Sequence, residues 1–434
     1  MTVLAINGGT KVREKLFPAY NPIGEEEKEA VDKVIEKGKL SRFLGVWHED
    51  FYGGDEVRAL EKEWAEKFGV KHAISVNSAT SALYCAVGAA GIGPGDEVIV
   101  SPYTMTASAS AALVYNAVPV FADIEEEYFC LDPKSIEEKI TERTKAIIVV
   151  DIMGQPYDAD TINAIAKKHN LIVIEDAAQA PGAMYKGKYA GTLGDIGIYS
   201  LNYHKHIHSG EGGVIVTDND ELAERLTLIR NHAEAVVEAK GVHNLVNMIG
   251  FNYRMTEIEA AIAREQLKKL DYLLEARLKN VEYISKKLSE IPCIEVSKIR
   301  EHCKHSFYIQ ALKFKKEIAG ISREKFIEAI NAELAPFEMR ENEGVKLSGG
   351  YVRPLYLQPI YQKLVGYGET GCPFKCPMYK GTLNYNKGIC PSCEKMHFEE
   401  LMTHEFIVPS MTNKEMDDVV EAFKKVWENR RELQ

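Results

Sequence analysis

The segment YSLNYHKHIHSGEGGVIVT (199–217) holds Lys205 between an apolar run and a glycine-rich turn. A lysine in an apolar pocket loses its charge readily and can form a Schiff base with a carbonyl. Ser200, five residues earlier, could hydrogen-bond a phosphate. His204, His206 and His208 alternate around the lysine, and three histidines at spacing two also fit a metal site. If extended, these histidines share one face only as far as the turn at Gly210.

Three other segments carry chemistry. SVNSATSAL (75–83) passes from an apolar run into a helix start through small hydroxyl residues. Exposed amides and hydroxyls there can hold a phosphate, although a plain helix N-cap uses the same residues. IVIEDAAQA (172–180) sets Asp176 at the end of an apolar strand. A buried carboxylate needs a partner: a cationic ring nitrogen, a metal or an arginine. GFNYRMTEIEAA (250–261) opens a long helix with Asn252 and Arg254 as polar residues in apolar surroundings, a pattern that a helix-start cap also gives.

In this order the segments resemble the DegT/StrS-type sugar aminotransferases, which have the fold type I architecture of pyridoxal-phosphate (PLP) enzymes. The most specific match is a Ser, four residues, the Lys, four residues, then GEGG: Ser200, Lys205 and Gly210–Gly213. EDAAQA and GFNYRM match equally well, and the resemblance covers nearly the whole chain. It implies that Lys205 carries PLP as an imine and shuttles the proton between substrate carbon and cofactor. It implies that Asp176 pairs with the pyridinium nitrogen and keeps the ring an electron sink. Gln179 would contact the ring's 3-oxygen region. Thr80, Ser81 and Ser200 would hold the phosphate, and Asn252 would reach it from the neighbouring subunit of a homodimer. Three positions depart from the pattern: Met105 stands where an aromatic ring usually stacks on the cofactor, Ala79 stands in the phosphate turn where Gly is common, and Asp151 ends a strand that usually ends in His.

These residues need a frame. Seven strand-length runs start at His72, Glu97, Val118, Lys145, Leu171, Ile196 and Gly213, several of them apolar on both faces. Helical patterns alternate with them, at Thr161 to Asn170 and in the Leu222, Leu226, Ile229 stripe. The alternation predicts an α/β domain with a mostly parallel seven-stranded sheet over 20–265, whose ligand sits beyond the carboxyl ends of the strands. A helical stretch from about Glu257 to Glu290 leads into a smaller α+β domain over 266–434 joined by residues 1–19. IQALKF near Ile309 and EFIVPS near Glu405 read as its strands, and Thr412 with Glu415 as a capping box before the last helix. The N-terminal residues, punctuated by GG and Pro, are expected to lie against another part of the protein.

With 434 residues, 45% hydrophobic, and a net charge of -11, the composition is that of a globular protein and argues against a general nucleic-acid or anionic-membrane binder. No run is long enough to span a membrane, no secretory signal is visible, and eight cysteines in this length point to a reduced, cytoplasmic setting. Cys372, Cys376, Cys390 and Cys393 approach zinc-ribbon spacing inside an insertion near 366–396. The alternative is a loop of free thiols, so no metal ligand is assigned.

The resemblance thus implies a transaminase moving an amino group from glutamate or glutamine to a keto-sugar, nucleotide-linked in the first instance, or to a ketocyclitol. The opening LAINGGTKVR resembles the subgroup with cyclitol and aminohydroxybenzoate-type members. Sugar dehydratases of this family replace the lysine with histidine, whereas Lys205 stands at the aligned position. A non-catalytic regulatory relative is the remaining alternative.

Overall fold

The computed structural model describes residues 3–434. All seven apolar runs form strands of one sheet: β1 (His72–Val76), β2 (Glu97–Val100), β3 (Val118–Phe121), β4 (Thr144–Val150), β5 (Ile172–Asp176), β6 (Ile196–Ser200) and β7 (Gly213–Thr217). The order is β1-β7-β6-β5-β4-β2-β3. β7 runs antiparallel to both neighbours, and the other pairings are parallel. β4 shows why: Ala146 to Val150 are all buried, and such a strand needs helices on both faces.

Four helices matter for the site. α1 (Glu25–Lys37) and α2 (Asp55–Phe68) precede the sheet, α3 (Ala79–Ala89) follows β1, and α4 (Thr106–Val114) follows β2. Crossover helix α5 (Ala159–His169) and α6 (Asp220–Arg230), in which Leu226 and Ile229 are fully buried, occupy the segments whose periodicity predicts them.

α7 (Glu257–Leu288) is the long helix, opened by a capping box of Thr256 and Glu259. It packs on α1 and α2 and, further along, on α8 (Asn413–Glu428), which Thr412 and Glu415 cap. A four-stranded antiparallel sheet follows it: β8 (Ile294–Val296), β9 (Gln310–Phe314), β10 (Leu347–Gly349) and β11 (Leu401–His404), in the order β8-β9-β11-β10. Its core gathers Leu312, Phe314, Phe326, Phe406 and Phe423, with Leu4 and Phe17 from the N-terminus. The N-terminal segment is tied there by Arg13 N–H to Glu333 O (3.0 Å) and Phe17 N–H to Pro336 O (3.0 Å).

Two expectations shift. EFIVPS is a turn, and the strand is the preceding LMTH, whose Thr403 and His404 look polar but are buried in register with Ala311 and Gln310. The cysteine-bearing insertion packs on the large sheet rather than on the small one. Tyr385 donates to Pro119 O (2.8 Å) on β3, and Asp123 accepts from Ser392 and Cys393 N–H (2.8 and 2.9 Å). It thereby covers an edge strand that would otherwise be open to pairing.

Candidate active site

The carboxyl ends of β1, β5 and β6 meet at one place because β7 starts between two of them. Gly213 pairs with Val76 of β1 on one side and with Ser200 of β6 on the other. A Cβ at Gly213 would lie 2.7 Å from Ala79 N, so only glycine lets β7 pass this close under α3. This brings Ser200 to the N-terminus of α3, where Ala79, Thr80 and Ser81 begin the helix. Ser78 caps it, accepting from Ser81 N–H (3.0 Å), and the Ser81 hydroxyl donates to Asn77 Oδ1 (2.6 Å).

Lys205 follows β6 on a tight loop in which its N–H donates to Asn202 O (2.9 Å). It is buried, and its Nζ lies 4.3 Å from the centroid of the Tyr308 ring. Among the described residues the amine has no hydrogen-bond acceptor. Burial brings its pKa down to about 8, against the opposing pull of Asp176. Asp176, at the end of β5, accepts from Ser108 Oγ (2.8 Å) and Ala178 N–H (3.2 Å). Burial raises its pKa, and the Ser108 hydrogen bond, the Ala178 amide and the Lys205 charge lower it.

Gln179 is held at both ends. Its Oε1 accepts from Met153 N–H (2.6 Å) and its Nε2 donates to Tyr351 Oη (3.0 Å). Met105 is half exposed just before α4. Asn252 is exposed, and its Oδ1 accepts from Arg254 Nε (2.8 Å) rather than facing the α3 end of its own chain.

The three histidines around Lys205 diverge because the loop is not extended. His204 pairs with Asn202 (3.2 Å), His206 is buried against Ser306 O (2.9 Å), and His208 accepts from Gly210 N–H (3.3 Å). The four cysteines of the insertion do not converge either: among the described residues no three His, Cys, Asp or Glu side chains gather as a metal site.

Three residues that sequence reasoning missed, Ser108, Tyr308 and Tyr351, stand beside the site residues, together with Asp151. Ser108 follows Met105 by one helical turn, the only signal available. Tyr308 and Tyr351 come from the C-terminal third, where nothing in the local spacing ties them to Lys205. Asp151 is noticed at its strand end, but not its neighbour. It is fully buried, with Oδ1 accepting from Tyr157 N–H (3.0 Å), Oδ2 without a partner among the described residues, and Glu175 beside it. Glu175 accepts from Gly191, Leu193 and Gly194 N–H (2.6, 2.7 and 3.0 Å), which lower its pKa against the larger raising effect of burial. Burial first, and the neighbouring Glu175 second, raise the Asp151 pKa well above the usual carboxylate range.

A doubly covered sheet with a buried, unpartnered lysine beyond its strand ends is the frame of a PLP enzyme. The chain belongs to the DegT/DnrJ/EryC1/StrS aminotransferase family, whose model matches residues 23–375. It is a PLP-dependent aminotransferase. It is 33% identical over 421 residues to the spore coat polysaccharide biosynthesis protein SpsC of Bacillus subtilis (strain 168), covering 95% of this chain and 98% of that one. It is 30% identical over 443 aligned residues, 99% of each chain, to an L-glutamine:2-deoxy-scyllo-inosose aminotransferase of Streptoalloteichus tenebrarius. Among solved structures, an aminotransferase from Psychrobacter cryohalolentis is similar at a TM-score of 0.79 and 29% identity, covering 95% of this chain and 99% of that one.

Proposed function

We propose that the chain transfers an amino group from glutamate or glutamine to the carbonyl of a keto-sugar or ketocyclitol, with Lys205 as cofactor tether and proton carrier. The observation that carries this reading is the buried Lys205 amine, unpartnered and within electrostatic reach of Asp176. An amine with a lowered pKa is neutral often enough to attack a carbonyl, and it can take and return a proton.

The residues fit PLP, which when bound supplies the electron sink for the reaction. Each Asp176 oxygen has one donor and keeps a free lone pair, so the carboxylate could hold a proton on the ring nitrogen. The amides of Ala79 and Thr80 with the hydroxyls of Thr80 and Ser200 would take the phosphate at the α3 N-terminus. Ser81 would join them if its hydroxyl turned from Asn77. Met105 would cover one ring face with its thioether, and Gln179 would approach the ring's 3-oxygen region.

The proposed assembly is a homodimer with shared sites. Leu40, Leu44, Val46 and Trp47 are exposed, as are Leu245, Val246 and Ile249. The first segment is held by residues 231–240: Asn231 Nδ2 donates to Leu44 O (2.9 Å) and Lys240 lies over the Trp47 ring (5.1 Å). Such a surface suits a second copy, and Asn252 would then serve the neighbouring phosphate site. The eight free cysteines suit a reducing compartment, the cytoplasm. Among the described residues no helix is long and apolar enough to cross a membrane. The division into a large domain over 20–265 and a smaller one over 266–434 with residues 1–19 follows the two sheets, except that the insertion near 366–396 serves the large sheet. The test is transfer of an isotopically labelled α-amino nitrogen from glutamine or glutamate to a keto-sugar or ketocyclitol, read by mass spectrometry. Wild type should label the product and Lys205→Ala should not; no label from either donor would refute the reading.

A further inference from the structure

We propose that Tyr351 is a positioning residue for the cofactor. From the small sheet it fixes the Gln179 side-chain amide so that one N–H is left for the ring's 3-oxygen. This rests on the PLP reading of Lys205 and goes beyond it, because it lets the C-terminal third tune the protonation of the bound cofactor.

An amide side chain has one acceptor oxygen and two donor protons. In Gln179, Oε1 accepts from Met153 N–H (2.6 Å) and one Nε2 proton goes to Tyr351 Oη (3.0 Å). The other Nε2 proton has no acceptor among the described residues, although the side chain is buried. A buried donor without a partner is costly, so this one calls for an acceptor on a bound group. One hydrogen bond would let the amide swing about it, whereas two at opposite ends fix its plane. Burial raises the Tyr351 phenol to about 12, against the Gln179 hydrogen bond, so it stays a neutral acceptor around neutral pH.

Tyr351 is itself held. Gly350 turns the chain out of β10: its N–H donates to Leu401 O (2.7 Å) and its carbonyl accepts from Thr403 Oγ1 (3.1 Å). Its φ is +71°, and a Cβ there would lie 2.6 Å from His397 Nδ1. The Tyr351 ring meets the fully buried Tyr103 edge-on, at 6.2 Å and 87°, and Tyr103 Oη lies 3.4 Å from His397 Nδ1. His397 sits in the turn Met396–Glu400, directly after the cysteine-bearing insertion. The support of Gln179 thus runs through Tyr351 and Tyr103 to a segment that also covers β3.

The consequence has a sign. An N–H at the 3-oxygen stabilises negative charge there. It does so most when the proton of the Lys205–cofactor link is gone, so it pulls the pKa of that link down. A loosened amide should let the pKa rise.

The test is a double-mutant cycle of Tyr351→Phe, Gln179→Ala and the pair. Phe keeps the ring contact with Tyr103. In holoenzyme the band near ~420 nm is titrated with pH. Tyr351→Phe should move its midpoint up by about 0.5 pH or more. Gln179→Ala should move it at least as far, and the pair no further than Gln179→Ala alone. In apo-protein, affinity for pyridoxamine phosphate, which forms no link to Lys205, is read by fluorescence. Tyr351→Phe should lower it about threefold or more in wild type and change it by less than about 1.5-fold in Gln179→Ala. A Tyr351→Phe midpoint equal to that of wild type, or additive effects of the two substitutions, would overturn the proposal. A wild type without a titratable band would instead count against Lys205 as tether, while the pyridoxamine phosphate cycle would still decide the role of Tyr351.

Discussion

The Lys205 amine lies 4.3 Å from the centroid of the Tyr308 ring, so a lysine positioned by the large sheet is covered by a side chain from the C-terminal third. A ring face favours an ammonium. Burial outweighs it here and sets the amine at about 8.

That shift has a stability consequence in cofactor-free protein. An unfolded lysine titrates near ~10.4. Between a pH of about 8 and that value the unfolded chain binds more protons, so wild-type stability rises with pH across the window. Lys205→Met removes the buried charge. It should be more stable than wild type at pH 7, by on the order of 1–3 kcal/mol, with the gain shrinking toward pH 10. Urea unfolding of the two apo-proteins at several pH values checks this; a gain that does not vary with pH would contradict it.

Ser108 positions Asp176 through a 2.8 Å hydrogen bond. Hydrogen bonds to charged groups contribute about 1.5–3 kcal/mol, so Ser108→Ala should weaken cofactor binding by roughly tenfold or more. Ser108→Thr, which keeps the hydroxyl, should recover most of it. Fluorescence titration of apo-protein with PLP measures both, and equal affinities for the Ala and Thr variants would rule out this role.

The frame of the site was legible in the sequence because it rests on local signals. Several of the seven apolar runs report burial on both faces, and the spacing from Ser200 through Lys205 to Gly210 sets the tether register. What stayed hidden depends on distant contacts. Tyr308 and Tyr351 reach Lys205 and Gln179 only after the small sheet forms. The strand at Leu401–His404 was masked because Thr403 and His404 bury polar side chains, while the apolar FIV that follows is packed in a turn. The cysteine spacing suggested a metal, yet Cys390 and Cys393 are buried against the large sheet and Cys372 and Cys376 are only partly buried.

Asp151 offers a pH test of the opposite sign. Its folded pKa is raised by burial and by Glu175. Its stabilising contribution is therefore complete below the unfolded carboxylate pKa of about 3.9 and is lost as pH rises toward the folded value. Asp151→Asn keeps the neutral shape without the titration. The stability of the variant relative to wild type should grow from pH 5 to pH 8, as read by urea midpoints. A constant difference would mean that Asp151 is ionised in the fold.

Gly213→Ala tests the close approach that joins Ser200 to α3. The new Cβ would meet backbone atoms of Ser78 and Ala79 at 2.7 Å. Overpacking of this kind typically costs about 1–3 kcal/mol. PLP affinity should fall at least tenfold even where the far-ultraviolet spectrum is unchanged, whereas wild-type affinity would remove Gly213 from the proposed phosphate cradle.

The most direct test of Lys205 as tether is the visible spectrum of the holoenzyme. Wild type should show a band near ~420 nm that converts to one near ~330 nm on addition of glutamate or glutamine, a signature of cofactor chemistry at the amine. Lys205→Ala, reconstituted with PLP, should lack the donor-sensitive band. A wild-type band that neither donor converts, or an unchanged donor-sensitive band in Lys205→Ala, would contradict the assignment.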